Sequence, residues 1–170
     1  SAHIDISRMA ASILEVLPET RTLAVVVGSS RTEQFWLAEA RAALAPLASR
    51  VQLVWLHGLT HQQLRSRAAA LPSGPAIFYV LFNVDAAGVP LENERALTDV
   101  RAAASVPVFG MFDRQLGAGI VGGPLLELRT MGTLSGQLAS RMLEGKGGAE
   151  APHLMLETQP PVFDWRELQH

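Results

Sequence analysis

The chain has 170 residues, enough for one domain with a substantial core and short for two. Hydrophobic residues make up 48% and charged residues 18%, the balance of a globular chain rather than a disordered one. The net charge of −2, with no Lys/Arg block, argues against nucleic acid as a partner, and the absence of cysteine excludes disulfides, thiolate metal sites and cysteine nucleophiles. No apolar run reaches the roughly 20 residues that span a bilayer. The chain starts Ser1-Ala2 and stops after "VFDWRELQH". It therefore reads as a fragment of a longer chain, and a missing leader or anchor says nothing about compartment.

Taken in order, "DISRMAASILEVL" (5–17) places Ile6, Met9, Ile13 and Leu17 at helical spacing, with Asp5 as a cap and Pro18 as the stop. "TLAVVVG" (22–28) is an unbroken β-rich run, the pattern of a strand buried on both faces. A helix over 32–48 follows, with Thr32 as its cap and Phe35, Leu44 and Leu47 among its inward positions. "VQLVWLHG" (51–58), "AIFYVLFN" (76–83) and "VPVFGMF" (106–112) read as further strands. Helices are predicted over 60–71, 92–104 and 125–145, the last ended by Gly145, and 153–158 reads as a final strand. This alternation predicts an α/β fold with three αβα layers around a mainly parallel sheet. Right-handed crossovers then place every strand-to-helix loop at the carboxyl edge of the sheet.

The candidate ligand-binding residues come from those loops: Ser29, Ser30 and Arg31 after the first strand, Asn83 and Asp85 after the third, and Asp113, Arg114 and Gly119 after the fourth. Main-chain N–H groups and hydroxyls in "GSSR" suit an anion or polar group, and they suit plain helix capping equally. Asp85, Asp113 and Arg114 can orient a small ligand, while turn and capping chemistry is the simpler role for the aspartates. Phe82 and Phe112 fit either a cleft wall or the core. Gly117, Gly119 and Gly122 match G-x-G-x-x-G, but "DRQL" separates them from the strand and Pro124 follows the last glycine of the run. A dinucleotide loop opens a helix directly after its strand, usually in the first βαβ unit. The glycines are therefore expected to form a cleft rim instead of a pyrophosphate cradle, and no cofactor is expected. Ser29, His57 and Asp85 lie at three strand ends, yet no G-x-S-x-G elbow supports a hydrolase triad. The histidines show no metal-ligand spacing.

Several segments carry a resemblance: "LPETRTLAVVVGSS", "LHGLT", "FYVLFNVDAAG", "VPVFGMFDRQLGAGIVGG" and "PPVFDWREL". In this order they resemble the extracytoplasmic sensor region of certain bacterial sensor histidine kinases. That region is similar to the substrate-binding proteins of ABC-type transporters with a type I periplasmic-binding fold. The resemblance implies two lobes closing on an unidentified small-molecule ligand, of which this chain supplies the second. It implies a leading helix and linker over 1–20, an α/β lobe over 21–158 and a tail over 159–170 that heads toward a membrane segment. The expected setting is the periplasmic side of an inner-membrane protein, with the missing first lobe as a partner and a homodimer among the arrangements open to it. No phosphorylation or ATP-binding motif is present, so the fragment is not expected to be an enzyme. Two alternatives stand beside this expectation: a substrate-binding component of an ABC transporter, and a small nucleotide-cofactor-dependent α/β enzyme.

Overall fold

The computed structural model describes residues 2–92, 94–144, 154–156 and 160–169, with side chains described from residue 5 onward except over 154–156. Four strands form a parallel sheet: β2 (Thr22–Val27), β3 (Gln52–Leu56), β4 (Ala76–Leu81) and β5 (Val108–Gly110), in the order β3-β2-β4-β5. A short first strand, β1 (Ala2–Ile4), pairs in parallel with β7 (Leu154–Leu156), outside the main sheet. β7 falls inside the strand expected over 153–158; residues 153, 157 and 158 lie outside the described residues, as does Gly145.

Both faces of the sheet are covered, as the unbroken apolar runs require. Alternate residues of β2 point opposite ways: Leu23, Val25 and Val27 join one core, Ala24 and Val26 the other. The first core lies under α1 (Ile6–Val16) and α2 (Arg31–Leu44), through Ile6, Met9, Ile13, Leu37, Ala40 and Leu44. The second lies under α3 (His61–Ala69) and α4 (Arg95–Ala103), through Leu64, Ala68, Ala96, Leu97 and Val100. The expected three-layer αβα arrangement is present. Asp5 caps α1 by accepting from Arg8 N at 2.9 Å.

Two details of α2 differ from expectation. Its cap is Ser30, not Thr32, because Ser30 and Glu33 form a reciprocal capping box. Phe35 is not inward: it is 53% exposed, while Trp36 takes the core position beside it. The helix ends at Leu44, where Pro46 tightens the chain into a 3₁₀ turn over Ala45–Ser49. The last helix, α5 (Leu128–Leu143), has no buried residue, although Leu128, Met131 and Leu134 rest against the first core.

Candidate functional site

In a sheet ordered β3-β2-β4-β5, the chain turns to opposite sides after β2 and β4, leaving a crevice outside their carboxyl ends. Glu33 fills the floor of that crevice. It is fully buried, and its carboxylate accepts from Ser30 N at 2.8 Å and from Asn83 N across the crevice. Gly28 is needed there because a Cβ at that position would run into this carboxylate. Gly28 N donates to Leu81 O and Ser29 N to Val84 O, both at 2.8 Å, so the two strand ends are sewn together. The Ser29 hydroxyl is buried without a hydrogen-bond partner among the described residues. Ser30 serves as the cap, and Arg31, the first residue of α2, is exposed.

Beside this crevice, Asn83 and Arg114 line one small hollow with Tyr79, Leu81, Glu94, Leu97 and Gln115. Arg114 Nε lies 3.5 Å from Glu94 Oε1, and both side chains are about one-third exposed, at 33% and 32%. Gln115 is buried and fixes the turn that carries Arg114: its Oε1 accepts from Met111 N at 2.8 Å and Phe112 N at 3.0 Å, and its Nε2 donates to Val80 O at 3.2 Å. Burial, and then the negative charge of Glu33, push the Tyr79 phenol well above its ordinary pKa, so it stays neutral and able to donate. The hollow measures only about 10 Å³, room for roughly one water. This lobe therefore offers one wall of a site, not an enclosed pocket. Hollows of about 320 and 220 Å³ lie at the opposite, amino edge, lined by residues 16–20, 73–75 and 105–107 and by Arg101 and Glu167. The carboxyl edge is nevertheless where ligands bind in open α/β sheets, in the crevice at which the strand order reverses.

The remaining predicted site residues are placed differently. Asp85 does not point its carboxylate at a ligand: the group accepts from Ala87 N and Val89 N at 2.9 Å each and from His61 N, the start of α3, at 3.1 Å. These bonds, that of Val89 foremost, hold it below the usual carboxylate range against the opposing effect of burial. Asp113 Oδ1 accepts from Arg114 N at 2.9 Å and from Leu128 N, the first residue of α5, at 3.3 Å. For both aspartates the capping role holds. Phe82 and Phe112 are core residues, 2% and 4% exposed, with Phe112 edge-on to Trp36.

Gly119 is not at a cleft rim. The glycine run turns back along β5, where Val121 N donates to Val108 O at the amino end of that strand. Gly119 there lies against Arg101, whose Cγ would be 2.7 Å from an added Cβ. β6 (Gly122–Gly123) pairs antiparallel with β8 (Val162–Phe163). The Ser29, His57 and Asp85 side chains have separate surroundings: His57 Nε2 is 2.9 Å from Arg41, and burial and then that guanidinium lower its pKa. Among the described residues no cluster of three His, Asp or Glu side chains is placed to hold a metal, and no helix is long and apolar enough to cross a membrane.

Sequence reasoning missed Glu33, Glu94, Tyr79 and Gln115. Glu33 was detectable from "SRTE", a Ser followed three residues later by Glu at a helix start. The Gln115 bond to Val80 O and the Glu94–Arg114 pair span 35 and about 20 residues and left no local signal.

The chain matches no protein-family model, and no curated protein matches it in sequence. Its fold is similar to those of solved structures. One is an ABC domain in complex with L-Trp from Streptococcus pneumonia: TM-score 0.74, 15% identity, 99% of this chain and 56% of that one covered. Another is the ligand-free, open form of a substrate-binding protein with adhesive properties from Clostridium difficile: TM-score 0.65, 14% identity, 99% and 56% covered. A sugar-binding transcriptional regulator of the LacI family from Enterococcus faecalis also aligns: TM-score 0.54, 14% identity, 94% and 61% covered. The chain thus spans little more than half the length of these proteins. At such identities the likeness speaks to fold, and it agrees with the layers and strand order above: the chain has the α/β architecture of one lobe of a type I periplasmic-binding-protein-like fold.

Proposed function

We propose that the chain is the second lobe of a two-lobed small-ligand receptor, and that it serves as the extracytoplasmic sensing part of a membrane-bound histidine kinase. The observation that carries the ligand reading is the meeting of Asn83, Arg114 and Glu94 in one hollow at the carboxyl edge, in a wall too shallow to enclose anything alone. A second lobe would supply the facing wall. It would also cover the apolar stripe of α5, where Met142 and Leu143 are 59% and 89% exposed. The kinase setting, on the periplasmic side of the inner membrane, is supported by the "VFDWREL" resemblance alone. A ligand that binds the closed pair of lobes better than the open pair shifts the population, by a factor of ten for each 1.4 kcal/mol of differential affinity.

Delivery of cargo to an ABC transporter fits the structural comparisons at least as well, since substrate-binding proteins are among the similar structures. The nucleotide-enzyme alternative has less support. The first turn of α2, where a phosphate would sit, already holds the Glu33 carboxylate, and the glycine run packs against Arg101 and β8. The test is a thermal-shift screen of the two-lobed parent chain against free amino acids, monosaccharides and nucleotides, repeated with Arg114→Ala. A stabilising amino acid or sugar whose effect falls at least about tenfold in affinity in the variant supports the receptor reading. Stabilisation by a nucleotide alone would reinstate the enzyme, and a parent chain without a membrane helix and kinase modules would leave only the transport reading.

A further inference from the structure

The tail is held on the lobe by two separate contacts. β8 lies along β6, Asp164 N donates to Val121 O at 2.9 Å, and Gly122 is required because a Cβ there would collide with the Val162 carbonyl. Three residues on, Glu167 Oε2 receives Arg101 Nε at 2.7 Å, with the two side chains 21% and 29% exposed. Gly119 leaves the space in which the Arg101 stem lies. The glycine run that resembles a cofactor loop is thus the seat of the tail.

This seat is connected to the crevice twice over. α4 spans about 13 Å at 1.5 Å per residue and is rigidly packed through Ala96, Leu97 and Val100. At its crevice end stands Glu94, bonded to Arg114; near its other end is Arg101, bonded to the tail. The segment from Arg114 to Gly122 joins the same two places along the chain. Glu94 also adopts the left-handed conformation (φ 57°), which is uncommon for a residue with a side chain, and its carboxylate is ion-paired with Arg114.

We propose that residues 162–169 are an output arm latched by Arg101–Glu167 on the glycine seat, and that the Glu94–Arg114 pair at the crevice sets how firmly the latch holds. An anionic ligand group competing for the Arg114 guanidinium would free Glu94 to leave its left-handed conformation, and α4 would carry the change to Arg101. The link to a ligand rests on the receptor reading above; the latch and its coupling to the pair do not.

The test is amide hydrogen exchange on the chain without ligand, with Asp164 as reporter and the amides of β4 as a measure of global opening. Glu167→Gln should speed exchange at Asp164 by about fivefold with β4 unchanged, and the charge swap Arg101→Glu with Glu167→Arg should restore it. Arg114→Gln, which does not touch the tail, should speed Asp164 by at least about threefold, and Glu94→Gln should do the same from the helix side. An unchanged Asp164 rate in Glu167→Gln overturns the latch. An unchanged rate in Arg114→Gln and Glu94→Gln, or equal acceleration throughout β4, overturns the coupling. Failure to find a ligand leaves these rates untouched, so the two readings fail separately.

Discussion

Glu33 shows how one side chain can decide what a crevice is for. Its carboxylate satisfies main-chain donors from α2 and from the end of β4 at the point where the sheet reverses its winding. Glu33→Ala removes the acceptor shared by two part-buried N–H groups, so it should cost about 2–4 kcal/mol, read from the urea midpoint. Asp85 makes a pH-dependent contribution of known sign. Its folded pKa is depressed, so its stabilisation is fully present above the ordinary carboxylate value of about 4 and is lost as pH falls through the lower folded value. Urea titrations of wild type and Asp85→Asn should differ by a constant amount from pH 7 to about pH 5 and converge below about pH 4. The same residue shows the limit of reading function from position. A strand-end aspartate looks the same in sequence whether it faces a ligand or caps the next helix, and only the three amides around it decide.

At the scale of elements, burial separates α5 from the other long helices. Leu97 of α4 is fully buried, so Leu97→Ala should cost about 2–5 kcal/mol by urea unfolding. Leu134 of α5 is only partly covered, and Leu134→Ala should cost less than about 1 kcal/mol in this chain. Expression with the first lobe should raise that second cost if the lobe covers the helix. The main strands and helices were legible because "TLAVVVG" and "AIFYVLFN" are long apolar runs between turn signals, and the alternation fixes which loops share the carboxyl edge. The two-residue pairing of β6 with β8 was not. It joins positions some 40 residues apart through main-chain bonds and glycine clearance, which no period reports. The glycine motif was expected at a cleft rim, and spacing alone does not reveal that the chain doubles back along β5 and places it against Arg101 and β8.

In the receptor proposed above, the carboxyl edge of the whole molecule would be the ligand face, and the amino edge, with its larger hollows and the Arg101–Glu167 contact to the tail, the output side. In that receptor, signalling would require only that lobe closure favour one arrangement of the two ends. The most direct measurement is amide chemical-shift mapping on the two-lobed protein, using whichever amino acid or sugar stabilises it in the thermal-shift screen. The account predicts the largest saturable shifts at Ser29, Asn83 and Arg114, with smaller ones reaching Arg101 and Asp164. Saturable shifts centred on Thr20, Ser73 and Ser105 at the amino edge, with Ser29, Asn83 and Arg114 unmoved, would contradict it.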